Sequence, residues 1–231
     1  MCGRYGLTME QEALSVIFGV EQFLSDYTPR WNIAPSLEVP VIAAPKGRRS
    51  LDALRWGLVP FWADDPKIGY GMINARSETV ASKPAFRAAW KHRRRCIVPA
   101  TGFYEWQKGP EPKAPKTPHW IHMADERPFA FAGLWETWKG KGEDAPPLHS
   151  FTILTTSPNP YVRHIHDRMP VILGEETEWA RWLDPELPSD AVADLLRSYP
   201  GEEMHAYPVS TYVNKPGNEG PECVEAVGEG L

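Results

Sequence analysis

This sequence predicts an α+β fold, a curved, barrel-like mixed β-sheet with short helices at its periphery. Three observations carry that prediction. Strand-like runs recur along the chain between Gly- and Pro-containing turns. Helical patterns are short and irregularly interspersed, so no repeated strand–helix alternation builds a parallel sheet. No internal repeat and no linker-like stretch divides the 231 residues, so one domain over 1–231 is expected.

Bulk properties narrow the classes further. With 42% hydrophobic residues the chain has material for a core, yet no run of about 18 apolar residues would span a membrane. The N-terminus lacks a basic segment followed by an apolar one, so no secretory leader is expected. Cys2, Cys96 and Cys223 make an odd count, which is no disulfide framework, and a reduced, cytoplasmic location follows. A net charge of -5 argues against bulk polyanion binding but leaves room for a local basic groove. Ten tryptophans exceed what a core of this size needs, so some rings are expected at a surface.

Taken in order, Thr8 to Phe18 reads as a helix, with Thr8 and Gln11 as a capping box, Leu14, Ile17 and Phe18 as its apolar face and Gly19 as its stop. Residues 25 to 37 are rich in turn formers and hold Trp31-Asn32-Ile33-Ala34-Pro35. Val39 to Ala44 and Leu51 to Trp56 form a predicted hairpin around Lys46-Gly47-Arg48-Arg49. Arg55 to Trp62 is broken by Gly57 and Pro60, which suits a loop carrying exposed aromatics.

Ile73 to Thr79 is read as opening a helical stretch that breaks at Pro84 and runs on to Trp90. The basic run Lys91-His92-Arg93-Arg94-Arg95 closes it. Those charges suit a helix C-terminus, and phosphate contact suits them equally. Cys96 to Pro99, Phe103 to Gln107, Trp120 to Met123, Phe129 to Trp138 and Phe151 to Thr156 are strand-like, and Lys108 to Pro118 is a surface loop. Helices are expected over Glu175 to Leu183 and Ser189 to Tyr199, then a strand over Met204 to Val209 and a turn-rich tail to Cys223.

Three places hold chemistry. Loss of Met1 would leave Cys2 with an amine and a thiol on neighbouring carbons. Such an aminothiol condenses with an aldehyde to an imine, which the thiol closes to a thiazolidine. An α-amino pKa near ~8 and a thiol pKa near ~8.5 leave useful fractions of both nucleophiles at neutral pH. Glu105, flanked by Phe103, Tyr104 and Trp106, is a candidate proton shuttle if desolvation raises its pKa, and a plain solvent-facing strand residue if period-2 alternation turns it outward. His164 and His166 at i, i+2 diverge, and with no Cys pair or HExxH to complete a shell, a single His acting as acid or donor is the economical reading. The chain has no Gly-x-Ser-x-Gly elbow, phosphate loop or Gly-x-Gly-x-x-Gly, so no cofactor is expected.

Taken together, Met1-Cys2-Gly3-Arg4-Tyr5, Trp56-Gly57-Leu58-Val59-Pro60, Ile73-Asn74-Ala75-Arg76-Ser77-Glu78, Arg95 to Ala100, Gly102-Phe103-Tyr104-Glu105-Trp106, His166-Asp167-Arg168-Met169-Pro170 and the tail from Val213-Asn214 to Pro221-Glu222-Cys223 resemble the SRAP family of abasic-site sensors. The length is like that of its bacterial members. The resemblance implies the SRAP fold and a covalent trap for abasic sites in single-stranded DNA during the DNA damage response. Weak lyase, crosslink-reversal and self-processing peptidase activities come with it. By position, Cys2 would be the nucleophile, Asn74 would hold its amine, Glu105 would shuttle protons and His166 would donate toward the sugar oxygen or the imine. Arg4, Arg76 and Arg168 would meet phosphates, and Trp56, Trp62 and Trp106 would stack on or wedge bases. A monomer without metal or membrane partner is expected, nucleoid-associated when engaged on DNA. Two rivals stand beside this reading: an amidohydrolase with Cys2 as N-terminal nucleophile, and a non-covalent single-strand binding module.

Overall fold

The computed structural model describes residues 2–109, 111, 114–140 and 146–228. Its elements begin with β1 (Tyr5–Leu7), α1 (Gln11–Phe18), β2 (Gln22–Phe23), β3 (Arg30–Ile33), β4 (Glu38–Ala43), β5 (Ser50–Trp56) and β6 (Asn74–Arg76). There follow α2 (Arg87–Lys91), β7 (Arg95–Ala100), β8 (Gly102–Gln107), β9 (Thr117–Met123), β10 (Phe129–Trp138) and β11 (Leu148–Thr156). The chain ends through β12 (Met169–Pro170), β13 (Ile172–Leu173), α3 (Glu176–Leu183) and β14 (Met204–Pro208), with short 3-10 turns between.

Two sheets organise these strands. In the larger, β5, β4, β7, β10 and β11 pair antiparallel in that order, and β11 then pairs parallel with β5 through Ser150–Arg55 and Phe151–Trp56. That parallel pairing closes the ring into a five-stranded barrel, which removes the open edges an unrolled sheet would present. The second sheet is antiparallel throughout, in the order β14-β9-β8-β1-β3. The mixed, barrel-like α+β architecture expected from the sequence is therefore the one observed. The barrel is apolar enough to bury all six residues of β7.

An aromatic cluster fastens the second sheet to the barrel. The Tyr5 ring meets Trp56 at 5.3 Å and Phe131 at 5.6 Å, both edge-on, and Phe103 meets Phe131 at 6.0 Å. Trp56 stacks on Phe151 at 6.4 Å across the parallel seam. Edge-to-face pairs of this kind add about 0.5–1.5 kcal/mol each beyond the area they bury. The position of β1 is set from its other face by glycines. Gly6 pairs with Gly102 across β1 and β8, and the Trp120 ring lies over both. A Cβ at Gly102 would sit 2.3 Å from Trp120 Cζ2, and one at Gly6 would sit 2.9 Å from Cη2.

Three expectations need correction. The helix after β1 starts at Gln11, and Glu10 caps it without a side-chain bond. Thr8 instead shares a hydrogen bond with Thr101 Oγ1 at 3.3 Å, because pairing of β1 with β8 carries it there and the capping box cannot form. The helix does stop at Gly19, at φ 60°, but Leu14 and Phe18 are its buried face and Ile17 is exposed. Asn74 to Arg76 is a strand parallel to β11, not the opening of a helix. The Ile73 carbonyl accepts from Ile153 N–H and Trp56 Nε1, which holds the backbone extended. Ser189 to Leu195 is a 3-10 helix, whose three-residue repeat matches the spacing of its buried Val192 and Leu195.

Gly102→Ala is expected to lower the unfolding free energy by about 1–3 kcal/mol through overpacking against Trp120. Urea denaturation checks it, with Gly71→Ala, where a Cβ meets open space, changing stability by less than about 0.5 kcal/mol.

Candidate functional site

The register of β1 on β8 brings the N-terminal residues alongside Glu105. Tyr5 faces Phe103, and Tyr104 N–H donates to Arg4 O at 2.9 Å. Alternation along β8 then decides which side each residue takes. Tyr104 and Trp106 pack with Trp31, Trp120, Val213 and Cys223 in a small second core. Phe103 and Glu105 take the opposite side, toward the barrel, where Glu105 is 2% exposed. The solvent-facing alternative for Glu105 is thus ruled out. Burial pushes its carboxyl pKa up to about 7.

Asn74 reaches the same place from β6, which is held by parallel pairing of Asn74 with Ile153. Its Nδ2 donates to the Cys2 carbonyl oxygen at 2.7 Å, so its contact is with Cys2 O. A carbonyl can only accept, which fixes the amide orientation and leaves Oδ1 as a buried acceptor with no hydrogen-bond partner among the described residues. Cys2 is fully buried, and burial first, the Glu105 carboxylate second, hold its thiol well above the ordinary range. A thiol in that condition stays protonated at neutral pH.

His166 arrives from the turn that follows the short 3-10 helix Val162–His164. His166 N–H bonds back to Val162 O, and Gln107 Nε2 ties the turn to β8 through His164 O at 3.0 Å. Arg168 N–H donates to His166 Nδ1 at 3.0 Å, so the ring proton of the neutral form sits on Nε2. Nε2 lies 3.9 Å from Glu105 Oε2, beyond a direct hydrogen bond. Asp167 Oδ1 also lies 3.0 Å from Nδ1 and would favour a proton there, but this carboxylate is 86% exposed and solvated. Burial, which lowers the His166 pKa, favours the neutral ring and hence the Nε2 proton. His164 is exposed. Among the described residues no group of three or more His, Cys, Asp or Glu could hold a metal ion.

The six residues expected to meet DNA divide into different environments. Arg76 is exposed, with no ion pair among the described residues, and Trp62 is 48% exposed. Trp106 is half-buried, with Nε1 on Asn214 Oδ1 at 2.8 Å. Arg168 forks onto Glu78 at 2.6 and 3.0 Å and also donates to Thr155 O, so its charge is paired with a carboxylate. Arg4 Nη1 donates to Asn32 Oδ1 and Val213 O, and its guanidinium lies 5.8 Å from the Trp106 ring. Trp56 is a correction. It is fully buried in the aromatic cluster, with Nε1 on Ile73 O, and presents no face to a base.

Sequence reasoning gave no role to Asn32, which the structure makes a hub. It is fully buried, accepts from Arg4 at 2.7 Å, and its Nδ2 lies within 3.2 Å of the carbonyls of Val213, Lys215 and Asn218. Glu219 completes the clasp on Arg30 and Trp31 N–H. The tail from Val213 to Glu219 therefore holds Arg4 and, through Asn214, Trp106. The only sequence signal was the polar Asn32 inside an otherwise apolar Trp31–Ala34 run.

Two outcomes follow. Asn32→Ala strands these carbonyls and is expected to cost about 2–4 kcal/mol. Unfolding in urea measures that loss, and amide exchange should rise first over 213–219. For Glu105, the folded chain retains a proton that the unfolded chain releases between its ordinary 4.5 and about 7, so stability falls as pH rises through that window. Glu105→Gln is expected to exceed the wild type in stability by about 1–3 kcal/mol near pH 8, with the gap closing near pH 5, as thermal melts at the two pH values would show.

Comparison with known proteins matches this architecture. The family profile described as "SOS response associated peptidase (SRAP)" covers residues 1–216. The abasic site processing protein YoqW of Bacillus subtilis is 44% identical, over 98% of this chain and 100% of its own. The abasic site processing protein YedK of Escherichia coli is 30% identical over the same shares. The abasic site processing protein HMCES of Xenopus tropicalis is 34% identical, over 87% of this chain and 67% of its own. A crystal structure of a Bacteroides thetaiotaomicron protein superposes with a TM-score of 0.86 at 28% identity, covering 98% of this chain and 100% of that one. The residues gathered around Glu105 thus lie within the stretch that the family profile matches, and the chain belongs to the SRAP family.

Proposed function

We propose that this protein processes abasic sites in single-stranded DNA by capturing them covalently on Cys2 after Met1 has been removed. The observation that carries the reading is the buried Glu105, whose carboxyl sits near pKa 7 on the strand that pairs with the N-terminal one. While Met1 is attached, the Cys2 nitrogen is an amide and cannot form an imine. Once it is an amine, Asn74 Oδ1, which has no hydrogen-bond partner among the described residues, is an acceptor suited to one of its N–H groups.

The chemistry then balances as follows. Protonated Glu105 gives its proton to the sugar ring oxygen as the ring C1–O bond breaks, and the C1 hydroxyl proton passes to the carboxylate so formed, leaving the C1 aldehyde and a protonated Glu105. The Cys2 amine attacks C1, and the carbinolamine loses its oxygen as water to leave an imine. The Cys2 thiol adds across the C=N bond, forming C–S as its S–H proton passes to the nitrogen. A group titrating near neutrality delivers and recovers protons without a large penalty in either direction. His166, with its Nε2 proton facing Glu105, serves as the second donor toward the sugar oxygen or the imine.

The same parts account for the lesser activities in this reading. The imine acidifies C2 of the sugar, so proton loss there expels the 3′ phosphate and cleaves the strand. Running the addition backwards releases the crosslink. Glu105, acting as a base on water, would serve hydrolysis of the Met1–Cys2 bond. Arg76 and Arg168 supply phosphate contacts beside the lesion, with Arg4 held against Trp106.

A denaturing gel tests this. Wild type verified as Cys2-terminal should give a heat-stable, slow-migrating band with a single strand holding one abasic site, and Cys2→Ala and a Met1-retaining form should give none. Glu105→Gln should lower the initial crosslinking rate by about 10²–10⁴-fold and abolish the inflection near pH 7. Absence of a band from Cys2-terminal wild type would discard the reading in favour of an amidohydrolase.

A further inference from the structure

The basic run Lys91-His92-Arg93-Arg94-Arg95 is divided by the fold into two halves with different duties. Arg94 pairs with Glu136, and Arg95 is buried, donating to the carbonyls of Asp184 and Leu187 with Trp182 beneath it. Arg95 thereby anchors the end of α3 and its following loop to β7, and Arg94 ties the start of β7 to β10. Lys91, His92 and Arg93 stay exposed and turn to one side of a cavity of about 760 Å³. Arg87 from α2 faces the same cavity, as do Phe61 and Trp62, which are 57% and 48% exposed.

Neither Arg87, Lys91 nor Arg93 forms an ion pair among the described residues, and Asp190 is the sole acidic residue lining the cavity. Three unpaired cations against one carboxylate give this groove a net positive charge in a chain whose total is -5. Exposed aromatic faces alongside cations are what an unpaired nucleic acid strand requires, because phosphates take the charge and unstacked bases take the rings. A duplex would hide its base faces from Phe61 and Trp62. The groove is also continuous with the reactive site along the chain. The segment that begins at Asn74, on Cys2 O, passes through exposed Arg76 to Ala81 and Pro84 on the groove wall.

We infer that this groove, built by Phe61, Trp62, Arg87, Lys91 and Arg93, binds the single strand flanking the lesion, as an electrostatic track outside the reactive site. This rests on the reading of DNA as the partner. The acidic bulk of the protein then works with the groove, since repulsion elsewhere confines the strand to the one path with a favourable potential.

The test compares wild type with the triple variant Arg87→Gln, Lys91→Gln, Arg93→Gln, whose side chains are all exposed. Binding to an undamaged strand of about 30 nucleotides is followed by fluorescence anisotropy across salt concentrations, beside crosslinking of a strand of about five nucleotides with a central abasic site. The variant should bind the long strand roughly tenfold to a hundredfold more weakly, and the slope of log affinity against log salt should shrink by about 2. Crosslinking of the short strand at saturating protein should be unchanged. An unaltered salt slope, or equal losses on short and long strands, would overturn the inference, as would a loss confined to duplex DNA. If wild type crosslinks nothing, the abasic-site reading fails on its own, and the salt slope on the undamaged strand still decides the groove.

Discussion

The short pairing of β1 with β8 is the constraint on which the rest of this molecule depends. Tyr5 opposite Phe103 and Gly6 opposite Gly102 fix where the N-terminus lies, and Trp120 covers both glycines so that the register cannot slip without collision. A slip by one residue would move Glu105 from the barrel side to the face now held by Tyr104 and Trp106. The buried carboxylate, its raised pKa and its nearness to Cys2 are therefore consequences of strand register before they are consequences of local chemistry. Glycine here serves close approach: the ring occupies the space a side chain would take.

The two sheets divide the labour. The barrel, closed by the parallel seam between β5 and β11, gives a rigid wall from which β6 presents Asn74 and the turn before β12 presents His166. The antiparallel sheet supplies Cys2 and Glu105, and its far side is sealed by the tail through Asn32 and Glu219. Burying a carboxylate costs stability, and the aromatic cluster of Tyr5, Trp56, Phe103, Phe131 and Phe151 is where that cost is offset. This is the usual relation between a functional site and its scaffold, with local rules broken at the site and satisfied around it.

Much of this was legible in the sequence, because strand alternation and turn residues are local signals. The β4–β5 hairpin, the buried β7 and the long β10 and β11 follow from their own residues. Glu105 among three aromatics pointed to desolvation, but only the register decided which face it took. What was not legible depends on partners distant in sequence. Asn74 reads as helical until Ile153 pairs with it, Thr8 reads as a cap until Thr101 takes its hydroxyl, and Trp56 reads as a loop aromatic until Tyr5 and Phe151 enclose it. Asn32 gave almost no sign, since its role is to satisfy carbonyls nearly two hundred residues away.

That separation along the chain has a consequence for the newly made protein. Cys2 and Arg4 leave the ribosome first, yet the carbonyl that Arg4 needs, at Val213, lies 209 residues downstream. His166 and the tail clasp are likewise late arrivals. Domains fold as units once their last necessary segment has emerged, and contacts between the two ends of a chain are the slowest to form. A nascent chain therefore carries Cys2 and Arg4 before Glu105, His166 and the tail that surround them in the folded protein have emerged. Synthesis itself delays assembly of the candidate site until the whole scaffold is present.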